Sequence, residues 1–330
     1  MAGQIETRGF AAAPLLTAVL VAACAISGLQ LPALAQTSDT IPATPSTATA
    51  TPAESQASEP KPDPASDDPV LRGAYIFQLA GCLGCHTDEK GGGDRLAGGR
   101  ALVTPFGTFR SPNITPDPTH GIGNWSEESF IAALRSGRDP HGSPLYPAFP
   151  YASYTRMTDG DLKDLWAYLK TQPASPTPDQ DHDLSFPFSI RTGLVFWQWL
   201  NLPLVGPEAP VEGKSEAWHR GRYLVDALAH CAECHSPRDF LGGLDSDRYL
   251  AGNPDGVDGD RVPNITPAEK GGIGKWSPGD LSLFLRIGML PNGDVAGGAM
   301  AEVVRNSTSH LTDSDMEAMI TYLRDIPALE

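Results

Sequence analysis

GCLGCHTDEK, residues 81–90, sets two cysteines three positions apart with a histidine directly after the second. HCAECHSPRD, residues 230–239, repeats the pattern. The chain has 330 residues and five cysteines, and four of these, Cys82, Cys85, Cys231 and Cys234, fall in the two Cys-x-x-Cys-His pentads. Four chemistries use such spacing. A thioredoxin-like redox pair needs a βαβ context, and no such pattern flanks either pentad. A zinc site needs four ligands, so the two pentads would have to converge. Plain disulfides suit an exported protein. Covalent haem attachment is the specific meaning of the pentad. The two thiols add to the haem vinyl groups, and the adjacent histidine, His86 or His235, ligates the iron from one face. One pentad arises by accident; two, each in the first helix of a repeated unit with matched surroundings, select haem attachment, with two haem c groups in all.

Working outward, the surroundings do match. RGAYIFQLAGCLGCHT (72–87) aligns with RGRYLVDALAHCAECHS (220–236), which has one extra residue. SPNITPDPTHGIGNWSEESFIAALRSG (111–137) aligns with VPNITPAEKGGIGKWSPGDLSLFLRIG (262–288). MTDGDLKDLWAYLKTQP (157–173) aligns with LTDSDMEAMITYLRDIP (311–327). A repeat of this length reads as two homologous domains, 67–175 and 214–330. Each shows three helix signals. Asp68-Pro69 opens the first with a cap and a proline at the first helical position. Ser126 and Ser277 open the middle helices, and Gly137 and Gly288 close them. Thr158 and Thr312 open the last, with acids in the first turn that suit the helix dipole. Leu71, Tyr75 and Leu79, then Phe130 and Leu134, then Leu162, Leu165 and Leu169 recur at helical spacing. No alternating strand stands out. The expected fold is all-α, with long loops rich in the chain's 34 glycines and 31 prolines. A unit with so many loops has a thin core, and a buried porphyrin would supply apolar mass.

The flanking segments carry no site. Arg8 is followed by the apolar run FAAAPLLTAVLVAACAISGLQLPALA, which ends in Ala33-Leu34-Ala35. Residues 1–35 read as a signal peptide cleaved after Ala35. Two other readings stand: a lipoprotein box with Cys24 as the lipidated residue, and an uncleaved anchor, since the run is long enough to span a bilayer. All three place the body of the protein outside the cytoplasm, in the periplasm, with a membrane tether in two of them. Residues 36–66 are Thr, Pro, Ala, Ser and a few acids without an aromatic, a spacer that cannot build a core. Residues 176–213 form a bridge with Phe186, Phe188, Phe196, Trp197 and Trp199. Aromatics this dense bury something. Packing between the two units is the first reading, and a docking face for a partner or a membrane is the second. The formal net charge of −16 argues against nucleic acid.

An electron-transfer haem needs a second axial ligand, and methionine is the usual one. Met300, in AGGAMAEVV, a loop between the middle and last helices, suits the second unit. Met316 and Met319 sit at core spacing, and Met289 reads as packing. In the first unit the aligned residue is Phe149, which cannot ligate iron. Met157, just before the last helix, is the candidate there, although its repeat partner is Leu311. His141, His120 and an open position are the alternatives. Both pentads are followed by Pro-Asn-Ile-Thr-Pro. A carbonyl from Pro112 or Pro263 can accept the other ring N–H of the ligating histidine; a plain rigid turn is the competing reading. Trp125 and Trp276 are candidates for packing on haem or for a propionate hydrogen bond, against ordinary core burial.

The two pentads, PNITP, GIGNWS/GIGKWS, LYPAFPY, GGAMAEVV and the bridge FPFSIRTGLVFWQWL resemble those of bacterial dihaem cytochromes c. The chain is similar to the multihaem cytochrome c subunits that accompany membrane-linked alcohol and gluconate dehydrogenases. The resemblance covers about 69–327. It implies tandem class I cytochrome c-like domains. It also implies a non-enzymatic electron carrier, from a dehydrogenase toward quinone or a terminal oxidase, with a dehydrogenase, an oxidase or another cytochrome as redox partner. Those relatives often carry three haems and PAMPY in the first unit, where this chain has two pentads and Phe149. The rival function is a peroxidase-like dihaem enzyme that uses an open position at the first haem. A thiosulfate-dehydrogenase-like site needs a cysteine ligand, and every cysteine past the leader is already in a pentad. A gas sensor needs an output domain, and none is visible.

Overall fold

Each half of the repeat begins and ends with a helix, and these two helices cross. In the first half, α1 (Pro69–Leu79) packs on α5 (Asp159–Leu169); in the second, α7 (Glu216–Tyr223) packs on α11 (Asp313–Leu323). The computed structural model describes residues 61–202, 206–256 and 259–330. The expected leader, Cys24 and the spacer up to residue 60 lie outside the described residues. Among the described residues no helix is long and apolar enough to cross a membrane.

The caps are where the sequence puts them. The Asp68 carboxylate accepts from the N–H of Val70, and the Thr158 and Thr312 hydroxyls accept from Asp161 and Asp315. The crossings are tight because both pass over a glycine. A Cβ on Gly73 would lie 1.9 Å from the Asp164 carbonyl oxygen, and one on Gly221 would lie 2.0 Å from that of Ala318. Beside each crossing an arginine forks an aspartate. Arg72 holds Asp164 at 2.7 and 2.8 Å, and Arg220 holds Asp315 at 2.8 and 2.7 Å. Between the crossing helices lie α3 (Glu127–Ser136) and α9 (Pro278–Ile287). Ser126 and Ser277 cap them, and left-handed Gly137 and Gly288 end them. Apolar residues of both halves, among them Tyr75, Phe77, Leu162, Leu165, Leu224 and Met319, merge into one continuous core.

The halves meet through a reciprocal pair of hydrogen bonds. Tyr75 of the first half donates to Asp315 of the second at 2.8 Å. Tyr223, its repeat partner, donates to Asp161, the repeat partner of Asp315. Each tyrosine oxygen also accepts the N–H of the facing helix cap, Thr312 or Thr158, at 3.2 Å. Such self-complementary contacts are the mark of an isologous interface, here inside one chain.

Four features differ from the sequence reading. First, the fold is largely helical but has a small antiparallel sheet, ordered β1 (Ala101–Thr104), β2 (Gly107–Arg110), β3 (Asp183–Leu184). The strands are too short to show alternation, and β3 comes from the distant bridge. Second, the extra residue before the second pentad is absorbed as a π-helical turn at 224–228, the usual fate of a single insertion in a helix. Third, Met300 is not in a loop: it lies in the first turn of α10 (Gly298–Asn306). Fourth, the bridge buries only part of its aromatic set. On α6 (Leu194–Asn201), Trp197 is buried and donates its indole N–H to the Leu241 carbonyl at 2.9 Å, while Phe186, Phe196 and Trp199 are 81, 59 and 76% exposed.

Candidate functional site

The pentads sit on their own short turns, not on the first helix of each half. In the first, Gly81 adopts a left-handed conformation (φ 64°) and ends α1, so that α2 (Cys82–His86) starts in a new direction. In the second, His230 stands in the left-handed region (φ 40°) and α8 (Ala232–His235) follows. All four thiols are free, so neither pentad forms a disulfide. Among the described residues no group of three or more His, Cys, Asp or Glu is placed to hold a metal ion, so a zinc site made from both pentads lacks its ligands. Burial pushes the Cys82 and Cys231 thiols up to about 12 and Cys234 to about 11. Cys85 is pushed up for the same reason while keeping surface open to solvent.

The two histidines are held alike. His86 Nδ1 lies 2.8 Å from the Pro112 carbonyl oxygen, and His235 Nδ1 lies 2.8 Å from that of Pro263. A carbonyl only accepts, so Nδ1 carries the proton and Nε2 keeps its lone pair for a metal. Burial lowers both imidazole pKa values, against the pull of the carbonyl, and favours the neutral ring that a metal requires.

The Pro-Asn-Ile-Thr-Pro loop earns its place through Asn and Thr. Asn113 Oδ1 accepts the N–H and hydroxyl of Thr115, and its amide donates to the carbonyls of Ser175 and Thr177 behind α5. Asn264 and Thr266 repeat this, with the Leu329 carbonyl as the outer partner. Under the loop run Leu96 and Leu250, each fully buried at positive φ (61° and 57°). Their N–H groups bond the hydroxyls of Thr87 and Ser236, which directly follow the pentads, and their carbonyls take the N–H of Ile114 and Ile265. Gly98 and Gly252 then donate back to the His86 and His235 carbonyls at 2.9 and 2.7 Å. Both glycines have positive φ, and a Cβ on Gly98 would meet Pro112 at 2.5 Å. The sequence pointed to Pro112 and Pro263; the Asn, Thr and Leu that position their carbonyls were not singled out, although each occurs in both copies.

The axial candidates are distributed unevenly. Met157 is fully buried in the core, as is its repeat partner Leu311 at 3% exposure. Met300 is half-buried. His120 and His141 are exposed on loops, and Phe149 packs partly buried against the core. Trp125 and Trp276 also pack partly buried against it.

Nothing local to either pentad in the sequence shows that the two adjoin. The Ala80 carbonyl, two residues before Cys82, accepts from Tyr154 at 2.9 Å and lies 3.2 Å from His230 Nε2, the residue before Cys231. Tyr154 closes α4 (Tyr151–Tyr154), and Ser153 on the same turn donates to Glu233 inside the second pentad at 2.8 Å. From the other side α10 packs on α2. Its Glu302 pairs with Arg100 at 2.7 Å, and Arg100 donates to the Gly84 carbonyl inside the first pentad. The helix that carries Met300 thus also braces the first pentad.

Two short turns, each with two free thiols and an imidazole held with Nε2 unprotonated, fit covalently attached haem. The cytochrome c family model matches residues 70–173. A dihaem cytochrome c-type protein of Cereibacter sphaeroides is 45% identical over 280 residues, 81% of this chain and 92% of the relative. The chain belongs to the cytochrome c family, whose cofactor is haem c. It is also similar to the fructose dehydrogenase cytochrome subunit of Gluconobacter japonicus, at 44% identity over 83% of this chain and 56% of the relative. The gluconate 2-dehydrogenase cytochrome c subunit of Pantoea cypripedii is 38% identical, over 81% and 61%. The chain therefore spans little more than half the length of these dehydrogenase subunits.

Proposed function

We propose that the chain is an exported, periplasmic cytochrome that holds one haem c at each pentad and carries electrons from a dehydrogenase toward quinone or a terminal oxidase. The observation that carries this reading is the contact between the pentads. Ala80, Tyr154 and His230 bring the two equivalent turns together inside one interface, as an electron relay requires. The relatives that are cytochrome subunits of dehydrogenases support the donor.

The haem supplies reversible one-electron chemistry when attached; the chain does the rest. Cys82 with Cys85, and Cys231 with Cys234, would hold it covalently. Pro112 and Pro263 hold His86 and His235 in the tautomer that ligates through Nε2. We assign Met157 and Met300 as the second ligands that each haem would take. Phe196 and Trp199, exposed and stacked at 5.8 Å, are the face we assign to the dehydrogenase. A second reading, peroxide reduction at the first site, rests on Phe149 standing where Met300 stands in the repeat.

Visible absorption of the haem-loaded protein, followed through a stepwise reductive titration and then exposure to carbon monoxide, tests the assignment. Two low-spin haems with methionine–iron charge-transfer bands and no gas binding are expected. One high-spin, gas-binding haem would overturn Met157 and favour the second reading.

A further inference from the structure

The repeat places equivalent residues around the two pentads, so its exceptions are informative. Gln78 leads into the first pentad; at the equivalent position before the second stands Asp226, on the π-helical turn. Both its oxygens are held by tyrosines. Tyr249 donates to Oδ1, and Tyr322 of α11 donates to Oδ2 at 3.0 Å. The equivalents in the first half are Arg95 and Tyr168, which lie 3.5 Å apart. The first site is thus built around a guanidinium and the second around a carboxylate. Each charge acts on the neighbouring anchor: Arg95 pulls the Cys82 thiol pKa down, and Asp226 pushes that of Cys231 up.

The other charged and titratable groups around Asp226 are already committed. Arg156 pairs with Glu208 at 2.6 Å, and Glu208 also pairs with Arg222 of α7 at 3.2 Å. From the helices that flank the turn, Tyr75 of α1 and Tyr223 of α7 bond Asp315 and Asp161, and Tyr154 of α4 bonds Ala80. Burial raises Asp226 to about 6; the hydroxyls of Tyr249 and Tyr322 and the charge of Arg156 hold it down, and Glu208 pushes it up. It is the acid whose charge changes near neutral pH beside an anchor.

We propose that Asp226, held by Tyr249 and Tyr322, sets the potential of the second haem below that of the first and links it to proton binding, so that electrons entering at the second site run to the first. The inference rests on the two-haem reading. A nearby anion stabilises the ferric form, which carries one more positive charge, and a nearby cation stabilises the ferrous form. The step balances. Reduction at the second site brings one electron from the dehydrogenase's redox cofactor, and the Asp226 carboxylate takes one proton from solvent. Reoxidation passes the electron to the first site and returns the proton to solvent.

The test is spectroelectrochemical titration of the haem-loaded full chain from about pH 5 to about pH 8, with the haem count first fixed by intact mass. A mass with a single haem would overturn the two-haem reading itself and is distinct from any result below. A Cys231→Ala/Cys234→Ala variant identifies which step belongs to the second site. In the native protein the second-site step is expected to be the lower one and to drift downward as pH rises through the range where Asp226 ionises, while the first stays level. Asp226→Asn is expected to raise the second step by a tenfold change in equilibrium, about 59 mV for one electron, and to abolish the drift. Tyr322→Phe removes a hydrogen bond that favours the carboxylate and should move the drift to higher pH, which tests the site if the first variant does not fold. A second-site step that is the higher of the two, that stays put in Asp226→Asn, or that keeps its drift there would overturn the proposal.

Discussion

The first and second halves share one backbone plan and distribute their charges differently. In the first, Arg72 forks Asp164 and leaves Asp161 to Tyr223 of the other half. In the second, a single carboxylate, Asp315, takes both the Arg220 fork and the Tyr75 hydroxyl. Gln78 and Arg95 beside one pentad are replaced by Asp226 and Tyr249 beside the other. The crossing glycines, the Asn–Thr lock and the left-handed leucines are the same in both. What the repeat keeps is the set of residues that shape an attachment slot. What it changes is the set that sets the charge around it.

The sharpest way to break this comparison is to remove one anchor pair at a time. Cys82→Ala/Cys85→Ala and Cys231→Ala/Cys234→Ala are each expected to lose half of the covalent haem, read by haem staining and intact mass. Complete loss in one variant alone would mean that one half cannot load without the other.

The next effect is on stability. Asp315→Ala leaves Arg220 and Tyr75 without their acceptor and should cost about 3 kcal/mol by urea denaturation. Asp164→Ala strands Arg72 alone and should cost roughly half of that. Burial raises the Asp315 pKa, but the bonds from Arg220 and Tyr75 outweigh it and the net shift is downward. An acid depressed on folding stabilises fully above its unfolded pKa, and that stabilisation is lost as pH falls through the folded value. Acid titration of stability should therefore be less steep in Asp315→Ala than in the native protein.

Smaller still are the reciprocal tyrosines. Tyr75→Phe and Tyr223→Phe each remove one donated and one accepted hydrogen bond between the halves and should each cost about 1 kcal/mol. Unequal costs would show that the interface is symmetric in geometry only. Least in stability is Phe196→Ser/Trp199→Ser. Both side chains are largely exposed, so the melting temperature should hold within a degree or two while reduction by the proposed dehydrogenase partner slows.

Much of this was legible along the chain. Asp68, Thr158, Thr312, Ser126 and Ser277 act on N–H groups two or three residues away, so a helix start is readable wherever a cap precedes an apolar stripe. Pro112 and Pro263 were legible because their motif recurs behind each pentad. Illegible were the contacts between distant residues. Tyr75 and Asp315 are 240 residues apart, and nothing local to either names the other. β1 was missed because it is four residues long. Which bridge aromatics are exposed, Phe186, Phe196 and Trp199, was not legible, because aromatic density does not say which side of a helix faces a neighbour.

The sequence by itself determined the repeat and the capped starts of the helices read from it, because each depends on residue spacing and on groups within a few residues. Only the tertiary structure decided that the two pentads adjoin through Ala80, Tyr154 and His230, that α10 reaches back from the second half to brace the first pentad, and that the single extra residue before Cys231 places Asp226 on a π-helical turn between two tyrosines. Those outcomes depend on where two equivalent surfaces settle against each other, which is set by packing and hydrogen-bond partners summed over the whole interface.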